Sequence, residues 1–229
     1  KGWKFVYFDG VATNTGVFDI NADLSIGALT VRGAFQALGT IKLDGNYPTG
    51  TENVAIGDTA LDSIASGGSH NIAIGDKAGT ALTTGDNNVA IGACAMPSNQ
   101  TATNNVAIGF ESLRDTTTGE KNIGVGTNSL RKVTTGSCNV GIGSSAMQNG
   151  LTGSHNTAVG NQSQLSNNSG SNNTSLGSCS LDSLTTASNN TAVGASAMEA
   201  NTTGCENTAV GSCAQLGNTT GKRNVAVGF

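Results

Sequence analysis

The chain contains five cysteines, three of which (Cys94, Cys179 and Cys213) occupy the same position of a repeated sequence unit. Thiolates can bind zinc, but such sites usually contain C-x-x-C pairs, which this sequence lacks. Cys179 and Cys213 are two units apart, which in a stack of strands is about 9.6 Å and exceeds the ~7 Å limit for a disulfide. Because the cysteine count is also odd, we expect free thiols and no metal site.

Other candidates for catalysis are equally weak. His70 and His155 each precede an Asn of the repeat, at a position that elsewhere holds Lys121, Glu206 and Arg223, so solvated histidines are expected. The ten acidic residues of the repeats are scattered and form no pair suited to glycoside hydrolysis. Two G-x-G sequences, such as Gly124-Val-Gly126, lack the βαβ context of a dinucleotide site. The sequence therefore predicts no catalytic residue, no cofactor and no enzyme activity.

Composition narrows the classes of partner. The net charge is −4, with 11 Lys and Arg against 15 Asp and Glu, which argues against nucleic-acid binding. No apolar run approaches the ~20 residues that span a bilayer, so no membrane insertion is expected. Charged residues make up only 11% of the chain and Gly reaches 33 residues, which disfavours an ordinary globular enzyme.

A repeat of 17 residues runs through most of the chain, and each unit begins with Asn and has Gly four residues later. The first interval is 18 residues and the nine that follow are 17. We number the positions of a unit from this Asn, which is position zero. Position two is Ala, Gly or Ser, position three is Ile, Val or Leu, and position seven is Ala or Ser. The units start at Asn53, Asn71, Asn88, Asn105, Asn122, Asn139, Asn156, Asn173, Asn190, Asn207 and Asn224.

A 17-residue unit is too short for a helix pair, which needs about 33 residues. It predicts one coil of an all-β, parallel β-solenoid of about eleven coils, stacked ~4.8 Å apart. Each coil would contain a strand at positions one to three, a second short strand near Ala95 and Met96, and positive-φ glycines at positions four and fourteen. The Asn column would form an amide ladder between coils. The predicted structural ladder includes Asn88, Asn105, Asn122, Asn139 and Asn156, with Gly92, Gly109, Gly126, Gly143 and Gly160.

Each coil offers little to bury: an aliphatic residue at position three, Val, Ile or Thr at position one, and usually Leu or Met at position eight or nine. At about 25 cal/mol per Å², this burial is small against the entropy of ordering one unit. Solenoids with thin cores need neighbouring coils, caps or partner chains. We therefore expect a homo-oligomer in which one strand face of each chain packs around an axis.

The units Asn207-Thr-Ala-Val-Gly211 and Thr117-Thr-Gly119-Glu-Lys-Asn-Ile-Gly-Val-Gly126 resemble the repeats of trimeric autotransporter adhesin heads. The longer period and the recurring T-T-G-x-x-N are still more similar to repeat arrays of phage tail fibres. The resemblance implies a left-handed β-roll and a homotrimer. It also implies a virion appendage in host attachment, with other virion structural proteins and a host cell-surface receptor or glycan as partners. The alternative is an adhesin head on the bacterial cell surface that binds matrix or cells.

Residues 1–52 form a separate region, which holds seven of the nine aromatic residues and no Cys, His or Met. Short strand patterns between Gly, Asn and Asp turns predict a β capping segment that closes the first coil, or one that attaches the array to a particle. Pro48-Thr-Gly50 marks its junction with the repeat array, residues 53–229.

Two surface features remain. Position thirteen is Thr or Ser in all ten complete units. Its hydroxyls are expected to cap backbone groups at a turn. The alternative is that they order water on ice, which would make the chain an ice-binding solenoid. Positions five, six, nine and sixteen vary most, so we expect any receptor contact there. Phe110, the only aromatic residue between Tyr47 and Phe229, could stack on a sugar ring beside Arg114. The leading prediction is a non-enzymatic structural fibre segment in host attachment.

Overall fold

The computed structural model describes residues 52–65 and 67–229. The predicted capping segment, residues 1–52, lies outside this range apart from Glu52. The described residues contain no helix. They form a parallel β-solenoid, which confirms the fold predicted from the repeat.

Eleven three-residue strands, one per coil, form a single parallel sheet in sequence order. Neighbouring strands pair position by position, so that Ala90 lies opposite Ala107 and Ile91 opposite Ile108. The strands are β1 (Val54–Ile56), β2 (Ile72–Ile74), β3 (Val89–Ile91), β4 (Val106–Ile108), β5 (Ile123–Val125), β6 (Val140–Ile142), β7 (Thr157–Val159), β8 (Thr174–Leu176), β9 (Thr191–Val193), β10 (Thr208–Val210) and β11 (Val225–Val227).

Strand alternation decides which side chains face the interior. In β4 and β6, Ala107 and Gly141 at position two are buried, whereas Ile108 and Ile142 at position three are exposed. Successive side chains of a strand point to opposite faces, so the small residue fills the roll and its branched neighbours point away from it. The expectation that the position-three aliphatics supply the core of the coil is therefore wrong for an isolated chain.

The core is built instead from positions eight and eleven, with the small residues of positions two and seven around them. Leu113, Leu130 and Met147 at position eight are completely buried. Where position eight is Gly79, the Leu82 side chain at position eleven occupies the interior. Position eleven therefore supplies the large side chain where position eight has none, which keeps the narrow interior filled.

The predicted second strand near Ala95 and Met96 is wrong, because this segment is a series of turns. Residues at positions six and eight have left-handed backbone conformations, with φ of 53° at Cys94 and 51° at Met96. The turns still bond from coil to coil: the Met96 N–H donates to Ser112 O (3.0 Å) and the Leu130 N–H to Ala146 O (2.9 Å). The stack is therefore hydrogen-bonded on this side without a second sheet.

The two glycine columns have different physical causes. Gly143, at position four, has φ +131°, and an added Cβ would lie 2.5 Å from Gly160 O of the next coil. Gly136, at position fourteen, does not have positive φ, so that part of the prediction is wrong for this unit; of the glycines at position fourteen, Gly67 in the 18-residue first unit does have positive φ. Its Cβ would nevertheless lie 2.3 Å from Gly153 O. Close stacking of backbones requires Gly136, whereas both stacking and conformation require Gly143.

Candidate functional site

The Asn at position zero joins each coil to both of its neighbours. The Asn139 N–H donates to Asn122 Oδ1 (3.0 Å), and Asn139 Oδ1 accepts from the Asn156 N–H (3.0 Å). Asn139 Nδ2 also donates to Gly153 O across the roll (2.8 Å). The side chain is completely buried. Each amide is thus used within the stack, and the ladder is a structural element that offers no group to a ligand.

The outward side chains at positions one and three of β1–β11 form one continuous surface, here called the sheet face. Its members are half-buried or exposed. The exposed fraction is 41% at Ile142 and 50% at Leu176. Position one is Val or Ile in β1–β6 and Thr in β7–β10. At the usual strand spacing the sheet face is about 48 Å long and ~7 Å wide. These dimensions give about 340 Å², which is within the range of the largest apolar patch on a soluble monomer, and such patches are often functional.

Phe110 and Arg114, the predicted surface contact, have different environments. The Phe110 side chain is half exposed. The Arg114 guanidinium, in contrast, donates from Nε to Asp115 Oδ1 (2.8 Å) and from Nη1 to Glu111 Oε1 (3.5 Å). The hydrogen bond to Asp115 raises the pKa of Arg114. Arg131 from the next coil also lies 2.7 Å from Glu111 Oε2. Arg114 belongs to an ion-pair network between coils, so the structure leaves Phe110 as the more available contact.

The Thr side chains at positions twelve and thirteen have different environments. Hydroxyls at position twelve donate to the backbone of the next coil, as from Thr134 Oγ1 to Leu151 O (2.9 Å) and from Thr185 Oγ1 to Thr202 O (3.1 Å). Side chains at position thirteen, such as Thr135 and Thr152, are exposed. The capping role predicted for position thirteen therefore belongs to position twelve.

Serine hydroxyls at position fifteen form a further set of bridges that sequence reasoning missed. The Ser137 N–H donates to Ser154 Oγ (3.1 Å), and the Ser154 N–H donates to Ser171 Oγ (3.1 Å). The sequence signal was the run of Ser at this position in four successive units, which include Ser188.

The remaining titratable residues in the described part of the chain form no recognisable catalytic or metal-binding centre. All five cysteines are free and half-buried, and His70 and His155 are exposed, with His70 in contact with Glu52. Within residues 52–65 and 67–229, no group of three His, Cys, Asp or Glu side chains could hold a metal ion. The same residues include no helix long and apolar enough to cross a membrane.

One acidic residue has an unfavourable environment that the sequence did not indicate. Asp182 Oδ1 is buried and has no hydrogen-bond partner. Burial raises the pKa of Asp182, and the nearby charge of Glu199 raises it further. The two residues share position nine of adjacent coils, so stacking places like charges beside each other. This pair destabilises the ionised roll, and no Lys or Arg of the described residues forms an ion pair with it.

No family model matches the chain, and neither a curated protein nor a solved structure matches it. A proposal about function therefore depends on the repeat and on the geometry of the exposed surfaces.

Proposed function

We propose that this chain is a non-enzymatic structural segment of a fibre, which assembles as a homotrimer through its sheet face and serves in host attachment as part of a virion appendage. The sheet face is the observation that carries the proposal. It presents two columns of branched side chains along the whole described array, and only the Ala, Gly or Ser at position two of each strand points into the roll.

Burial of the sheet face would add to the stability of the single roll. Fully burying a Val, Leu or Ile side chain contributes about 1.5–3 kcal/mol. Ile108, Ile142 and Val210 each retain more than a third of their exposure in the single chain, so part of this free energy remains to be gained. A narrow stripe suits several chains that converge on an axis better than it suits a broad two-chain contact, which typically buries ~800 Å² per partner. The number three follows the resemblance to trimeric fibres.

The surfaces away from the sheet face would display the attachment contacts. Positions five and sixteen carry varied, exposed side chains, among them Phe110, Lys121, His155 and Arg223. An exposed aromatic ring such as Phe110 offers a flat apolar surface to a host glycan. The repeated interior keeps the coils in register while these positions vary, which suits a rigid rod that presents a receptor-binding surface.

The assembly is tested by placing a charge on the sheet face. Ile142→Asp puts a carboxylate at an exposed position of the single roll, so the far-UV spectrum should remain that of the wild type. In the assembly the same carboxylate would be buried without a partner, which is strongly unfavourable. We expect light scattering to show loss of the oligomer, and the same result for Ile108→Asp.

Ser144→Asp is the matched control, because Ser144 is exposed two residues beyond Ile142 and lies outside the sheet face. It should leave the mass unchanged. An Ile142→Asp variant that retains the mass of the wild-type oligomer would contradict the proposed interface.

Ice binding is a second candidate, supported by the exposed hydroxyl column at position thirteen. This column continues without a break through nine coils, as Thr84, Thr101, Thr118, Thr135, Thr152, Ser169, Thr186, Thr203 and Thr220. If it orders water on ice, the purified array should show thermal hysteresis, and Thr135→Lys with Thr152→Lys should reduce it. An array without thermal hysteresis removes this candidate and leaves the fibre proposal intact.

A further inference from the structure

The hydrophobic core of the roll is interrupted once. One cluster of buried apolar residues extends from Leu61 to Ala158, and a second extends from Leu181 to Ala214. Between them lies a set of buried polar side chains, here called the polar layer. It consists of Ser163, Gln164, Asn167, Ser175 and Ser180, all with no exposed surface.

The polar layer is hydrogen-bonded internally. Gln164 Nε2 donates to Ser175 Oγ (2.9 Å) and to Thr157 O (2.9 Å), and Asn167 Nδ2 donates to Gln164 Oε1 (3.0 Å). The Ser163 hydroxyl lies 2.5 Å from that of Ser175 and 3.1 Å from that of Ser180. These contacts connect the coil that begins at Asn156 to the next coil through polar groups alone.

The polar layer changes how neighbouring coils stabilise each other. In a solenoid, stability is approximately a sum of terms for single coils and for the interfaces between neighbours. The backbone ladder and the Asn ladder continue through every interface, so they do not distinguish this one. Elsewhere apolar contacts between coils add the hydrophobic contribution. Here it is replaced by hydrogen bonds, whose net contribution is small because water satisfies the same groups in the open state.

We propose that the polar layer divides the roll into two cooperative units and that the boundary between β7 and β8 is the place where the array opens first. One unit contains the coils before the layer and the other contains the coils after it. The inference concerns the single roll and does not depend on the proposed trimer or on host attachment.

Hydrogen exchange of the full chain in increasing denaturant tests the boundary. The amides of β2–β6 should become exchangeable together at one denaturant concentration, and those of β8–β10 should do so together at another. The variant S163A/Q164L/N167L/S175A gives the layer the residue types of other coils, including the Leu181 and Leu184 pair of the following coil. We expect the two transitions to merge in this variant.

A matched control exists in the coil that begins at Asn207. Gln215 and Asn218 occupy the same two positions as Gln164 and Asn167, and Asn218 Nδ2 likewise donates to Gln215 Oε1 (3.2 Å). This pair does not separate the two clusters. Gln215→Leu with Asn218→Leu should therefore shift the transition of the C-terminal unit to higher denaturant while two transitions remain.

The proposal would be overturned if all amides of the wild-type array became exchangeable in one step. It would also be overturned if the boundary lay between any other pair of strands. Two transitions that persist unchanged in the four-residue variant would also overturn it.

If that variant does not fold, the position of the wild-type boundary still decides the question, and L130Q/V133N provides a second test. This variant should create an additional boundary next to β5, and an unchanged exchange pattern in the folded variant would contradict the inference.

Discussion

A buried Asn in this roll loses its contacts with water and must recover them from neighbouring coils. Asn139 does so completely, because its backbone N–H, its Oδ1 and its Nδ2 each have a partner. Removing the side chain leaves both the Asn156 N–H and Gly153 O without partners in a buried environment. Since each unsatisfied group costs about 1–3 kcal/mol, Asn139→Ala should lower the free energy of unfolding by roughly 2–6 kcal/mol. Equilibrium denaturation would measure this loss.

The control for this variant is Asn161→Ala, because Asn161 is exposed and its side chain makes only one long hydrogen bond, from Nδ2 to Ser144 O (3.4 Å). Its effect should stay within about 0.5 kcal/mol. Equal losses in the two variants would mean that the ladder contributes no more than an ordinary surface Asn.

Asp182 gives a pH-dependent prediction. Its pKa is raised in the folded chain by burial and by Glu199, so its contribution to stability is fully present below the pKa of the unfolded chain. It is lost as the pH rises through the folded pKa, because the charged carboxylate is disfavoured in the fold. Asp182→Asn should therefore unfold at higher denaturant than the wild type at pH 7. The difference should shrink near pH 3, below the ordinary Asp pKa of ~3.9.

Asp76→Asn serves as the control for this prediction, since Asp76 is exposed. Its unfolding midpoint should follow that of the wild type at both pH values. A wild type that is as stable as Asp182→Asn at pH 7 would show that the burial of this carboxylate has no energetic consequence.

Sequence patterns could predict individual residues only where every coil uses the same residue type. The recurring Asn indicated a ladder because its side-chain amide can both donate and accept hydrogen bonds between stacked coils. The engagement of Arg114 by Asp115 and Glu111 could not be predicted, because it depends on which rotamers the stacked coils permit. The polar layer was missed for a similar reason: Gln164 stands at position eight, where the pattern of Leu and Met had not been interpreted as the main core column.

At the scale of the structural element, the turn after each strand depends on glycine conformation. Gly143 combines φ +131° with a Cβ position only 2.5 Å from Gly160 O. Gly143→Ala must adopt a region of backbone conformation that side chains rarely occupy and must also displace the next coil. We expect a loss of at least about 1–3 kcal/mol in the free energy of unfolding, measured by denaturation.

Ser145→Gly is the control in the same coil. Ser145 has φ 56°, so a glycine there removes a mild conformational penalty and should change stability by less than about 1 kcal/mol. A Gly143→Ala variant as stable as the wild type would show that the turns can rearrange without cost.

The strand of each coil could be predicted from the sequence. The series of turns that follows it could not. Branched residues at positions one and three of the repeat favour a strand, and Gly at position four ends it. The segment at positions five to ten contains Leu113, Glu111 and Lys77 in left-handed conformations. Nothing in these residue types distinguishes such turns from a short strand, because the stacking of coils, and not local preference, selects the conformation.

For the whole molecule, the period of the repeat was sufficient to predict a parallel solenoid, because only stacked coils return the chain every 17 residues. The direction of the aliphatic side chains was not predicted correctly. Ile108 and Ile142 were expected to fill the roll, but alternation along the strand gives the interior to position two. The error leads to the central proposal, since the apolar material that is missing from the core lies on the sheet face.

The mass of the wild-type array in solution tests this proposal most directly. Size-exclusion chromatography with light scattering should give three times the chain mass of 22.7 kDa. A stable, cooperatively folded species with the mass of one chain would contradict the account, because the sheet face would then be exposed to water without a partner.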